Sequence, residues 1–169
     1  MTSLFSIHTV RFIVLLLLQV WVLSHVNFLG YINPYLYILF IALYPIKNNR
    51  MLFILLSFLL GLFIDMFLDS GGMHAAAAVT IAFIRPAALK FSFGAIYEHQ
   101  AVKFGNTDFG QRLSYLTILT IIHHFVLFSL DFFNFSKIIL ILKNTLFSSI
   151  FTIILCVLVT IIFSRNEKK

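Results

Sequence analysis

Long apolar runs, broken by very few charges, constrain this chain more than any motif does. Across Phe12–Leu29, Met51–Leu68, Leu113–Leu130 and Leu140–Phe163, the only Asp, Glu, Lys or Arg residues are Asp65 and Lys143. Of the 169 residues, 61% are hydrophobic and 11% charged, whereas soluble domains carry about 25% charged residues. A chain so poor in polar groups cannot cover itself against water, so its solvent is a bilayer. No charged tail or linker is long enough to form a second unit. The expectation is one all-α integral membrane domain over residues 1–169.

A hydrocarbon core of about 30 Å needs about 20 helical residues. On that measure we expect six transmembrane helices, at about 12–29, 34–46, 51–68, 74–89, 113–130 and 140–163. The second is short, rising only about 26 Å even when counted from Gly30, at about 1.5 Å per residue. It is either a tight span or a re-entrant segment. Asn33-Pro34 suits a helix start, because proline is at home in the first helical position, and Pro45 suits a stop. The first run is too long for a signal peptide and has no small-residue cleavage site after it, so it reads as a span.

Charge orients the bundle. With six spans and a cytoplasmic N-terminus, Arg11, Lys47, Arg50, Arg85, Lys90, Lys103, Arg112, Arg165, Lys168 and Lys169 fall inside and only Lys137 and Lys143 outside. That bias places both termini in the cytoplasm and argues against a re-entrant second segment. The net charge of +6 is thus topology and attraction to anionic membrane lipids; no basic cluster asks for nucleic acid. The loop at 90–112 interleaves Phe91, Phe93, Ile96, Tyr97 and Phe104 with charges, as an interfacial connector does. Cys156 is the sole cysteine, which excludes disulfides and cysteine-based metal sites within one chain.

Polar residues inside the spans are the candidate site. Ser57, Gly61, Asp65 and Asp69 are four apart and share one helix face. Small and polar groups on one stripe mark helix–helix contacts in membranes. Asp65 lies about 6 Å below the Asp69–Gly72 turn at about 1.5 Å per residue, and an intramembrane acid points to function until its partner is named. His74 is near it across the turn. Thr117, Thr120, His124 and Asp131 form a stripe on the fifth span, with His123 beside it. We expect a polar seam between the third, fourth and fifth spans. Gly71 and Gly72 permit a tight reversal, and Ala75 with the alanines after it gives Gly61 a smooth wall to approach. Pro86 is expected to end or kink the fourth helix near Arg85. Arg85 itself either snorkels to headgroups or meets a buried acceptor. His123 and His124 point about 100° apart, a poor arrangement for one metal ion. No metalloprotease, nucleophile-elbow or phosphate-loop motif occurs, so we expect no catalysis and no cofactor.

The stretch "GLFIDMFLDSGGMHAAA" resembles the signature of the bacterial rod shape-determining protein MreD family, in Gly61, Asp65, Gly72 and Ala75 to Ala77. Asn33-Pro34, Pro45, "FIRP" at Phe83–Pro86 and "IHH" at Ile122–His124 are similar to that family too. The resemblance implies a non-enzymatic subunit of the elongasome in the bacterial inner membrane. Its implied partners are an MreC-like single-span protein, an MreB-like filament, a RodA-like glycosyltransferase and a penicillin-binding transpeptidase. It also implies a fold similar to the six-helix S components of energy-coupling-factor transporters. The alternative is therefore a vitamin-binding transporter subunit. S components dock through an Ala-x-x-x-Ala patch in their first span; "FIVLLLLQVWVLSHV" has no alanine.

Overall fold

The computed structural model describes residues 2–26, 28, 30, 32–46, 49–94 and 107–166. Lys47, Lys103, Lys168, Lys169 and most of the 90–112 connector, including Ile96, Tyr97 and Phe104, lie outside them. The described chain is all helical apart from its connections. Its elements are α1 (Thr2–Trp21), α2 (Ile38–Leu43), α3 (Arg50–Leu68), α4 (Met73–Phe93), α5 (Phe109–Phe132) and α6 (Ile138–Asn166), with single 3-10 turns at Leu23–His25 and Phe135–Lys137. Five stretches are long and apolar enough to cross a membrane: His8–His25, Arg50–Leu68, Met73–Phe93, Phe109–Phe132 and Ile138–Ile162. This is a multi-pass membrane protein.

Helix ends follow local chemistry. Asn49 caps α3 by accepting the Met51 N–H at 2.9 Å, and Asp108 caps α5 by accepting the Gly110 N–H at 2.8 Å, each satisfying a first-turn donor. The α3 helix stops where Asp69 turns left-handed, with φ 52°, and Gly71 and Gly72 carry the reversal at φ 64° and 94°, a region cheap for glycine.

The α4 helix lies at the centre, packed most extensively against α3 and α5, while α6 packs on α5 and α1 on α3. The outer helices turn apolar side chains outward; Trp21 is 70% and Ile139 81% exposed, as lipid-facing residues are. Contacts order the two ends. His8 meets Tyr44, Tyr44 and Arg85 meet, and Arg85 meets Tyr115. The starts of α1, α3 and α5 and the end of α4 therefore share one end, with Arg50, Arg85, Lys90 and Arg112 near it. We term it the basic end. The Asp69–Gly72 turn marks the opposite, hairpin end.

The second span is where expectation and structure differ most. Its helix covers only Ile38–Leu43, about 9 Å at about 1.5 Å per residue, and Asn33-Pro34 precedes it in non-helical chain instead of opening it. Yet Tyr35 to Ala42 are all buried. Tyr37 reaches His74 near the hairpin end, and Tyr44 reaches Arg85 near the basic end. The segment thus threads the bundle interior first as non-helical chain and then as a short helix. Non-helical backbone at membrane depth is tolerated only where protein covers it, and here protein does.

Several boundaries also move. The α1 helix begins at Thr2, ten residues before the expected start. The α4 helix does not end at Pro86 but runs two turns further to Phe93. Lys90 to Phe93, expected in the connector, are therefore helical, as are Phe109 to Arg112 at the start of α5. Pro86 lacks an N–H, but one missing bond in a helix held on both sides is survivable.

Candidate functional site

Asp65 has its partners in the hairpin that follows it. Its Oδ1 accepts the His74 N–H at 3.0 Å and the Ser70 hydroxyl at 2.6 Å, and its Oδ2 accepts the Ala75 N–H at 2.8 Å. Those amides belong to the first turn of α4, whose own cap position is Gly72 and offers no side chain. Asp65 is therefore a helix cap supplied from the neighbouring helix, with the added benefit of a negative charge at a positive helix end. Gly61 makes this possible. A Cβ there would lie 2.5 Å from the Ala75 Cα and 2.6 Å from its nitrogen and from the His74 carbonyl oxygen, so the two backbones touch.

This gives the two acids of the stripe opposite fates. Ser57, Gly61 and Asp65 are buried on the shared face, but Asp69 has left the helix at its left-handed cap and is exposed. Asp65→Asn puts an amide donor where a backbone N–H already points. It should cost about 1–3 kcal/mol, read as a lower unfolding temperature in detergent, while Asp69→Asn should change nothing measurable. Equal stability for both variants would contradict the capping role.

Deeper in, the histidines meet the threaded segment. The Tyr37 hydroxyl lies 3.1 Å from His74 Nδ1 and also hydrogen-bonds His123 Nε2. One phenol proton serves one of these, so the other histidine must donate to the oxygen. The His124 tautomer is fixed by its neighbours. Its Nδ1–H donates to the Thr120 carbonyl at 2.7 Å, leaving Nε2 to accept from the Thr152 hydroxyl at 3.2 Å. That hydroxyl accepts the Tyr35 N–H at 3.1 Å. Both His123 and His124 are fully buried, and both pack on the Tyr35 ring, at 6.0 and 5.1 Å. Their divergence in the helix does not send either outward. Among the described residues, no three His, Cys, Asp or Glu side chains stand close enough to hold a metal ion.

The remaining polar groups hold the broken backbone. The Gln19 amide bridges the non-helical stretch, Nε2 donating to the Pro34 carbonyl at 3.1 Å and Oε1 accepting the Leu36 N–H at 2.9 Å. Arg85 closes the other end. Its Nη2 donates to the Ala42 carbonyl at 3.2 Å and to that of Tyr44, and its Nε donates to the Tyr115 hydroxyl at 2.9 Å. Tyr115 in turn donates to the Ala42 carbonyl at 3.1 Å. Of the two readings for Arg85, the buried acceptor is the one found; the side chain is 4% exposed. A carbonyl left bare in this interior would cost several kcal/mol.

The expected seam between α3, α4 and α5 therefore contains Ser57, Gly61, Asp65, His74, Ala75, Thr120, His123 and His124, all buried. Thr117 and Pro86 are half-buried, and Gly71 and Gly72 form the turn. Asp131, expected on the stripe, is exposed at the end of α5, because the stripe runs out of the bundle there. The seam is also wider than expected. Gln19, Tyr35, Tyr37, Tyr115 and Thr152 belong to it. So do Asn144, Thr145, Ser148 and Ser149, which α6 buries facing inward, each with a side-chain oxygen lacking a partner among the described residues. Their three- and four-residue spacing in the last span was a readable signal. Gln19, a lone amide in an apolar helix, was another.

Comparison with family models, with curated proteins and with solved structures gives no match to this chain.

Proposed function

We propose that the chain is a non-catalytic subunit of the cell-wall elongation complex, resident in the bacterial cytoplasmic membrane, that maintains rod shape by holding an MreC-like single-span partner. One observation carries this reading. The buried carboxylate, amide and guanidinium, with the Thr152 hydroxyl, are bound into the bundle's own backbone: Asp65 to α4, Gln19 and Thr152 to the threaded segment, Arg85 to the end of α2. What is left for the surroundings is an apolar outer face, with Leu146 58% and Ile154 55% exposed. Such a body is a rigid support for another membrane helix.

The family resemblance in Gly61, Asp65, Gly72 and Ala75 to Ala77 points the same way, since these residues lock the hairpin. The alternative, a vitamin-binding subunit, would need a larger space than the cleft at the basic end, which measures about 100 Å³ against about 300–1,000 Å³ for small-molecule sites.

The test is site-specific photo-crosslinking in a rod-shaped host. Probes at outward positions on α1 and α6, such as Val14, Leu146, Ile150 and Ile154, should give a crosslink to the MreC-like protein from one of these faces, and depletion of the chain should round the cells. Rod-shaped depleted cells without crosslinks would overturn the proposal. So would a vitamin-sized molecule retained through purification.

A further inference from the structure

At the basic end, a cleft of about 100 Å³ opens between α3, α4 and the chain following α2, lined among others by Pro45, Ile46, Arg50, Phe53, Ala82 and Arg85. Three positive features converge on it. Arg85, 4% exposed, commits Nε and Nη2 to the protein but leaves Nη1 without an acceptor among the described residues. Arg50 is exposed beside it, its guanidinium 5.3 Å from the Phe83 ring centroid. The N-terminus of α3, with the positive end of its dipole, begins at Arg50.

The aromatic rings fix the two arginines. The Arg85 guanidinium lies 4.9 Å from the Phe53 centroid, so Arg50 rests on an α4 ring and Arg85 on an α3 ring. Neither cation needs to search for its geometry, and preorganised planar donors suit phosphate oxygens. Depth selects the source. Counting eleven residues from the Gly61–Ala75 contact, back along α3 and forward along α4, brings Arg50 level with Pro86. That is the end of α3, while α4 continues past it to Phe93. The cleft thus sits at one membrane boundary. Its volume admits a phosphate group and excludes an acyl chain.

We propose that this cleft binds the headgroup phosphate of an anionic phospholipid, held between Arg50 and the free Nη1 of Arg85 with its acyl chains outside the bundle. The site stands independently of the partner proposed above. Arg85 also holds α2, so the test uses Arg50→Gln, an exposed position, and Ile46→Trp, which fills the cleft without altering charge. The purified full chain, in a neutral detergent, is titrated with phosphatidylglycerol or phosphatidylcholine and lipid adducts are counted by native mass spectrometry. Phosphatidylglycerol should be retained preferentially. Each variant should lose about tenfold in its retention, the value of one charge-assisted hydrogen bond, with an unchanged elution profile. Equal retention of the two lipids, or undiminished retention by Arg50→Gln and Ile46→Trp, would overturn the proposal. Stabilisation by inorganic phosphate with no preference between lipids would overturn the lipid source.

Discussion

Gly61→Ala should destabilise the bundle even though alanine is the better helix former. The propensity gain is about 1 kcal/mol. Against it, the new methyl would sit 2.5–2.6 Å from three backbone atoms of His74 and Ala75, and no rotamer change can relieve contact with backbone. The helices must part by about 1 Å to reach ordinary van der Waals distance. Parting them stretches the 2.8 and 3.0 Å bonds from the first turn of α4 to Asp65. Overpacking of this kind costs about 1–3 kcal/mol, and lost capping adds about 1 kcal/mol. The net expectation is a loss of about 1–3 kcal/mol for alanine and failure to fold as a monodisperse species for Gly61→Leu. Fluorescence-detected size exclusion after graded heating reads both. Ala76→Leu, an exposed position on the facing helix α4, is the control and should behave as wild type. Tolerance of leucine at both positions would mean the two backbones do not touch there.

Much of this hairpin is legible in the sequence, and the reason is periodicity. Ser57, Gly61 and Asp65 recur at the helical repeat, so their common face follows without any structure. Asp69 carries the same spacing and leaves the face, because spacing is a property of a helix and the helix has ended. Asp131 fails differently: it is still helical in α5 and yet exposed, because the stripe has run out of the bundle there. That Asp65 is a cap, however, is a contact between two helices, which no period within one helix encodes.

The threaded segment was harder to read for a different reason. Apolar length identifies a span but does not distinguish helix from buried extended chain. Pro34 reads equally as a helix start and as a reason for none. The deciding groups lie elsewhere: Gln19 on α1 and Thr152 on α6 accept the Leu36 and Tyr35 N–H groups, which lets this stretch stay out of a helix. The signal was present as isolated polar residues in apolar runs, and it becomes informative only when read as a demand for a partner. The same demand applies to Asn144, Thr145, Ser148 and Ser149 on α6.

Arg85→Met should be the costliest change to the threaded segment. Methionine keeps most of the volume and the contact with Phe53, so the loss isolates the hydrogen bonds. Tyr115 would still donate to the Ala42 carbonyl, but among the described residues the Tyr44 carbonyl has only Arg85. Charge-assisted bonds contribute about 1.5–3 kcal/mol each, and a carbonyl stranded in the interior costs a similar amount. The expected loss is about 2–4 kcal/mol. Because α2 is only six residues long, it has little helical stability of its own, so the damage should be local before it is global. Faster amide exchange over Ile38–Tyr44 should appear while α3 and α4 remain protected. Tyr115→Phe should cost less, about 1 kcal/mol, since Arg85 still covers both carbonyls. The double variant should cost more than the sum, because Tyr115 is what spares the Ala42 carbonyl in Arg85→Met. Arg85→Lys should recover part of the loss, as one ammonium replaces a fork that serves carbonyls and phenol together. Wild-type stability and exchange in Arg85→Met would mean that the segment holds its path by packing alone.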